Sequence, residues 1–121
     1  MYPSTLSLDT TMSIQLSPLC EAFIESMNTF QSEPFLNCFA DDAIVEDEAK
    51  THRGQTAIRA WIEGAFSAYQ PVLSVETVVS NRQETVIIGP VSGTFPGSPI
   101  TLCYHLAIEN GKIQHLRCAA E

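Results

Sequence analysis

The sequence predicts an α+β fold in which three N-terminal helices are followed by one curved antiparallel sheet. Three observations carry this. Apolar residues recur at helical spacing in two segments before residue 70. From residue 72 to 119 the pattern is that of strands separated by turn residues. Within that region Gly89 and Pro90 interrupt the ladder, predicting a bulge that lets the sheet bend.

The elements follow in order. Ser17 before Pro18 is an N-cap with proline in the first turn, and Leu19, Phe23, Ile24, Met27 and Phe30 then share one helical face. Ser32, Glu33 and Pro34 open a short second helix that is expected to run through Phe39 and to end in a turn at Asp41 and Asp42. A strand over 43–48 and a loop over 49–54, closed by Gly54, come next. Helix three carries Ile58, Trp61, Ile62, Ala65, Phe66 and Tyr69 on a single apolar face and is stopped by Pro71. Strands are expected at 72–80, 84–95, 100–109 and 112–119, with turns at Asn81-Arg82 and in the loop from Phe95 to Pro99. Asn110-Gly111 is a strong two-residue hairpin signal.

A chain of 121 residues encloses one core, so residues 17–121 read as a single domain preceded by a Ser/Thr-rich leader over 1–16, poorly ordered by composition. The net charge of −8, with Lys50, Arg53, Arg59, Arg82, Lys112 and Arg117 scattered, argues against nucleic acid and anionic membrane surfaces as partners. No apolar run is long enough to span a bilayer, and the leader lacks the basic and apolar regions of a secretory signal, so the expected location is cytoplasmic. Cys20, Cys38, Cys103 and Cys118 show no CxxC spacing and lie in or beside apolar runs, as reduced core thiols do. No His or Cys pair has ligand spacing, so no metal is expected, and no nucleotide or nucleophile-elbow motif occurs.

The chemistry concentrates in FADDAIVEDE, residues 39–48. On a strand Ala43, Val45 and Asp47 share one face, while Ile44, Glu46 and Glu48 share the other. A carboxylate held against apolar surface is poorly solvated and therefore more basic, which makes Asp47 a candidate general base. The competing reading is an acid that bonds loop amides near 49–52 and holds the structure together.

Together with HRGQTAIRAWIEG and GTFPGSPITLCYHLAIENGKI, this segment resembles the nuclear transport factor 2-like superfamily, in its SnoaL-like polyketide cyclase and ketosteroid isomerase branches, over residues 18–119. The resemblance implies a cystatin-like cone, a bent sheet wrapped around helices with an internal apolar cavity, commonly dimerised through the sheet. It also implies that Asp47 matches the proton-shuttling aspartate of ketosteroid isomerases, which pair a base with an oxyanion hole. The tyrosine donor of that hole is matched here by Phe23 and its supporting tyrosine by Ile62, whereas the late-strand donor aligns within about one residue of Tyr104. The full steroid-isomerase arrangement is therefore absent.

Asp47 and Tyr104 are thus the candidate catalytic pair, with Phe23, Met27, His52, Trp61, Tyr69 and Leu102 as candidate pocket residues. His105 and His115 alternate onto the outer sheet surface, where Cys103 and Ala107 stand in place of the charges of a solvated sheet and point to a homodimer. The expected function is a cofactor-independent isomerase, cyclase or lyase acting on a small apolar, carbonyl-containing compound. The alternative is a non-catalytic module of the same fold that binds an apolar ligand or dimerises.

Overall fold

A computed structural model describes residues 16–120, so most of the expected leader lies outside the described residues. The helices are α1 (Pro18–Asn28), α2 (Ser32–Leu36) and α3 (Gly54–Tyr69). The strands are β1 (Phe39–Asp47), β2 (Lys50–Arg53), β3 (Val72–Leu73), β4 (Thr77–Ser80), β5 (Thr85–Ser92), β6 (Ile100–Glu109) and β7 (Lys112–Ala120). They form one curved sheet in the order β2-β1-β7-β6-β5-β3, with β4 also pairing with β5.

The local signals act as their chemistry dictates. Ser17 caps α1 by accepting a hydrogen bond from the Cys20 N–H at 3.2 Å. Asn110 and Gly111 both adopt positive φ and join β6 to β7 in a two-residue turn, Glu109 facing Lys112. Phe23, Met27, Ile58, Ile62 and Phe66 leave water on the inner faces of α1 and α3, packing against Ala43, Val45, Leu106, Ile113 and Leu116 of the sheet. Burial of these side chains contributes roughly 1.5–3 kcal/mol each and supplies most of the fold's stability. Asn28 fastens α1 to the sheet: its amide donates to the Leu73 carbonyl at 2.9 Å and accepts from the Leu73 N–H at 2.8 Å.

Several boundaries differ from the sequence expectation. α2 ends at Leu36, and Asp41 and Asp42 lie within β1, where the register against β7 shifts between Phe39 and Ile44. This irregularity leaves both carboxylates exposed while Phe39 and Ala43 point inward. Gln55 holds the segment by donating its amide to the Phe39 carbonyl at 3.1 Å. The expected loop 49–54 contains β2, which forms a tight hairpin with β1. Among the described residues every strand pair is antiparallel except β1 with β7, which is parallel.

The expected irregularity at Gly89 falls on the neighbouring strand. Gly89 and Pro90 pair regularly with Leu102 and Thr101 of β6. The break instead separates β3 from β4, where the chain leans onto Gly89 so closely that a Cβ there would sit 1.9 Å from the Ser74 carbonyl oxygen. Glycine is required by that approach.

Candidate functional site

The site is built from a row across the concave face of the sheet. Asp47 on β1 stands opposite Cys118 on β7, Cys118 opposite Tyr104 on β6, and Tyr104 opposite Ile87 on β5. Partners in register share a face, so carboxylate, thiol and phenol follow one another at the spacing of adjacent strands, about 4.8 Å per step. α3 crosses over this row. Its Trp61 donates the indole N–H to Asp47 Oδ2 at 3.0 Å, and the His52 ring lies beside the indole with centroids 5.8 Å apart. Among the described residues Asp47 is thus anchored by a side-chain bond from a helix, and not by the loop amides that the sequence suggested.

Tyr104 is 5 % exposed, and its ring meets Phe23 edge-on with centroids 6.0 Å apart. Burial, followed by the nearby Cys118 and Asp47 as charges, pushes the phenol above its ordinary range. Burial and the Asp47 charge push the Cys118 thiol up in the same way. Both groups therefore stay protonated at neutral pH, as neutral donors beside a carboxylate. Among the described residues no hydrogen bond holds the Tyr104 hydroxyl.

An open depression of about 220 Å³ borders this row, lined by Asp47 and Cys118 with Lys50, Thr51 and Arg117 among others. A larger one of about 420 Å³ lies at the opposite end of β7, around Phe39, Gln55 and Lys112, away from the row. Deeper in the cone, Phe23 packs on Phe35 and Phe39 with ring centroids 5.4 and 6.3 Å away, so aromatic side chains occupy much of the concave space.

Of the residues expected to line a pocket, Phe23, His52 and Trp61 gather around Asp47 and Tyr104. Met27 is core. Leu102 lies one inward position beyond Tyr104, facing Ala120. Tyr69 stands apart at the end of α3, 42 % exposed and packed on Phe95. Cys118 is the residue that sequence reasoning passed over. Its alternation with Leu116 put it on an inner face, but only the parallel pairing of β1 with β7 brings it between Asp47 and Tyr104.

A model of the SnoaL-like domain matches residues 20–116. The chain belongs to the SnoaL-like domain family. A protein of Sinorhizobium meliloti, provisionally named a polyketide cyclase, is 31 % identical and superposes with a TM-score of 0.83, covering 86 % of this chain and 95 % of its own. A protein of Catenulispora acidiphila with a ketosteroid isomerase-like fold, solved with trimethylamine, gives a TM-score of 0.78 at 14 % identity over 88 % of each chain. One from Pseudomonas putida, also provisionally a polyketide cyclase, gives 0.76 at 18 % identity, over 85 % of this chain and 89 % of its own. No curated protein matches. In this SnoaL-like chain the cone, the helix order and the open, curved sheet are those of its structural neighbours.

Proposed function

We propose that this SnoaL-like protein binds a small carbonyl compound at the mouth of its cone and uses Asp47 as the proton acceptor, without a cofactor. The observation that carries the reading is the row itself: a carboxylate oriented by Trp61, followed in register by two groups that remain protonated. In such a site the Asp47 carboxylate takes a proton from the carbon next to the carbonyl. The C–H electron pair becomes the carbon–carbon π bond, and the carbonyl π pair moves onto oxygen, where the Tyr104 hydroxyl donates a hydrogen bond. Where the substrate also carries a double bond β,γ to the carbonyl, return of the proton from Asp47 at the γ carbon moves that double bond into conjugation, an isomerisation. Attack of the enolate carbon on a second carbonyl, with the proton passing to the new alkoxide, is a cyclisation. Kinship at 31 % identity with a protein provisionally named a polyketide cyclase supports a carbonyl-bearing substrate.

The test is proton exchange, because it needs no knowledge of the substrate. A panel of small ketones incubated in D₂O should gain deuterium beside the carbonyl, followed by NMR, and Asp47→Asn should slow this by about 100-fold or more. The same variant should melt close to the parent temperature, since an Asn side-chain oxygen still accepts from the Trp61 indole. A marked drop in melting temperature with exchange unchanged would end the catalytic reading.

One observation favours a second reading, that of a ligand-binding module: the packing of Phe23, Phe35 and Tyr104 leaves the concave space largely occupied. Ketones that bind with no exchange by the unaltered protein would select it.

A further inference from the structure

The β1–β2 hairpin carries two side chains that meet the same indole. Asp47 on β1 accepts the Trp61 N–H through Oδ2 at 3.0 Å, and the His52 ring on β2 lies against the indole with centroids 5.8 Å apart and planes at 31°. Val45 faces His52 and Asp47 faces Lys50 in register, so carboxylate and imidazole stand on one face of the hairpin, on adjacent strands, one inward position apart. The backbone therefore fixes their separation, ~7–8 Å for diagonal neighbours of this kind. Phe35 of α2, fully buried, meets the indole from a third element, with centroids 6.2 Å apart.

Two neighbouring rings are by themselves ordinary packing. What sets this pair apart is the bond beside it. Trp61 is half-buried, so water competes for its N–H, and a hydrogen bond alone does not fix the side-chain torsions of an indole. A ring pressed on the indole from the strand next to Asp47 removes that freedom. Among the described residues the hydrogen-bonded histidines are His105 and His115, whereas His52 is held by its contact with Trp61. We infer that His52 is a positioning residue for the proposed proton transfer: packed on Trp61, it holds the indole N–H on Asp47 Oδ2 and so leaves Oδ1 as the oxygen that takes the substrate proton. This rests on the proposed role of Asp47 and deepens it. Among the described residues Oδ1 accepts no hydrogen bond, and a carboxylate tied at Oδ2 keeps Oδ1 aimed in one direction. Misplacing a reacting group by about 1 Å costs up to about 100-fold in rate, so the aim of this oxygen matters. His52 touches no reacting atom in this scheme and acts through Trp61.

The chain's one tryptophan gives one indole N–H resonance, a direct reading of the bond. In the full ¹⁵N-labelled chain His52→Ala should move this resonance upfield, the direction expected of Asp47→Asn, and speed exchange of its proton with solvent on the order of tenfold. Deuterium uptake from D₂O into the methyl group of acetophenone should fall in kcat on the order of tenfold, with KM within about twofold of the parent, because aim is lost and binding is not. His52→Phe, which keeps a ring without its nitrogens, should restore both the resonance and the rate.

An indole resonance unmoved in His52→Ala overturns the inference, and so does an unchanged rate of uptake. Uptake as slow in His52→Phe as in His52→Ala assigns the loss to the imidazole nitrogens and overturns positioning through the ring contact. Each of these results leaves Asp47 as the base wherever Asp47→Asn abolishes uptake. No uptake by the unaltered protein, or uptake untouched in Asp47→Asn, overturns the base and this role with it. Should His52→Ala fail to fold, His52→Gln, which keeps a polar side chain and loses the ring, gives the same readings.

Discussion

At the scale of single residues, two contacts matter more than composition suggests. Trp61 is the chain's one tryptophan, and its indole N–H is the bond that orients Asp47. Replacing it by Phe keeps most of the apolar contact and removes the donor. A bond to a charged group contributes about 1.5–3 kcal/mol, and the partly exposed setting lowers this to about 1–2 kcal/mol. Trp61→Phe should therefore reduce the denaturant midpoint modestly while loosening Asp47, so that deuterium exchange falls more than stability does. Gly89 is the other. With the Ser74 carbonyl 1.9 Å from where a Cβ would stand, Gly89→Ala forces backbone apart, and a loss above about 2 kcal/mol is expected in thermal or urea unfolding. A variant as stable as the parent would show that 74–76 shifts freely. Asp47 was legible as an inward acid from alternation alone, because face is a local property of a strand. Its bond to Trp61 was not, since both residues read as ordinary occupants of apolar faces.

The secondary elements carry the next set of consequences. The two tight hairpins contrast in chemistry. The β6–β7 turn uses Asn110 and Gly111, residues that tolerate positive φ, whereas the β1–β2 turn beside Asp47 holds Glu48 at φ 52° and Ala49 at φ 65°. Side chains with a Cβ resist that region by roughly 1–2 kcal/mol per residue. Installing the favoured pair with Glu48→Asn and Ala49→Gly should raise stability by about 1 kcal/mol or more, read as a higher urea midpoint with an unchanged slope. An unchanged or lower midpoint would mean that the turn is supported by contacts of Glu48 or Ala49. Helix α1 depends on Asn28 in a similar way. Asn28→Ala removes two bonds to the Leu73 backbone and should cost about 1–3 kcal/mol, with the amide of Leu73 exchanging faster with solvent.

For the whole molecule, the convex side of the sheet is the surface to explain. Ile88, Cys103 and Ala119 form one row across it, flanked by His105 paired with Glu84 at 3.2 Å and His115 paired with Glu46 at 2.7 Å. A row of apolar residues edged by histidine–carboxylate hydrogen bonds suits a second copy of the chain, and we expect a homodimer through this face. Light scattering at micromolar concentration should give twice the monomer mass, and Ile88→Lys should reduce it to one. Stability should also respond to alkaline pH. Tyr104 and Cys118 have folded-state values raised above those of the unfolded chain, so each contributes stability that is complete below the unfolded value and lost as pH rises beyond it. Melting temperature should fall from about pH 9 upward, where unfolded thiols begin to ionise, and the fall should be shallower in Cys118→Ala. An equal slope in that variant would assign the loss to other groups.

The sequence by itself determined what depends on neighbours a few positions away. The buried faces of α1 and α3 follow from helical spacing, the start of α1 from Ser17 and Pro18, and the β6–β7 hairpin from Asn110-Gly111. The inward face of Ala43, Val45 and Asp47 follows from strand alternation. Periodicity and turn chemistry are short-range, so they survive in one dimension. Tertiary structure decided the rest. The parallel pairing that sets Cys118 beside Asp47 joins positions about 70 residues apart, and no local pattern specifies it. Asp41 and Asp42 look like a turn until β7 and Gln55 draw their segment into a strand. The break between β3 and β4 follows from how closely Ser74 approaches Gly89. In each case the deciding free energy comes from burial and pairing between distant segments, which outweigh local propensity once the sheet closes around its helices.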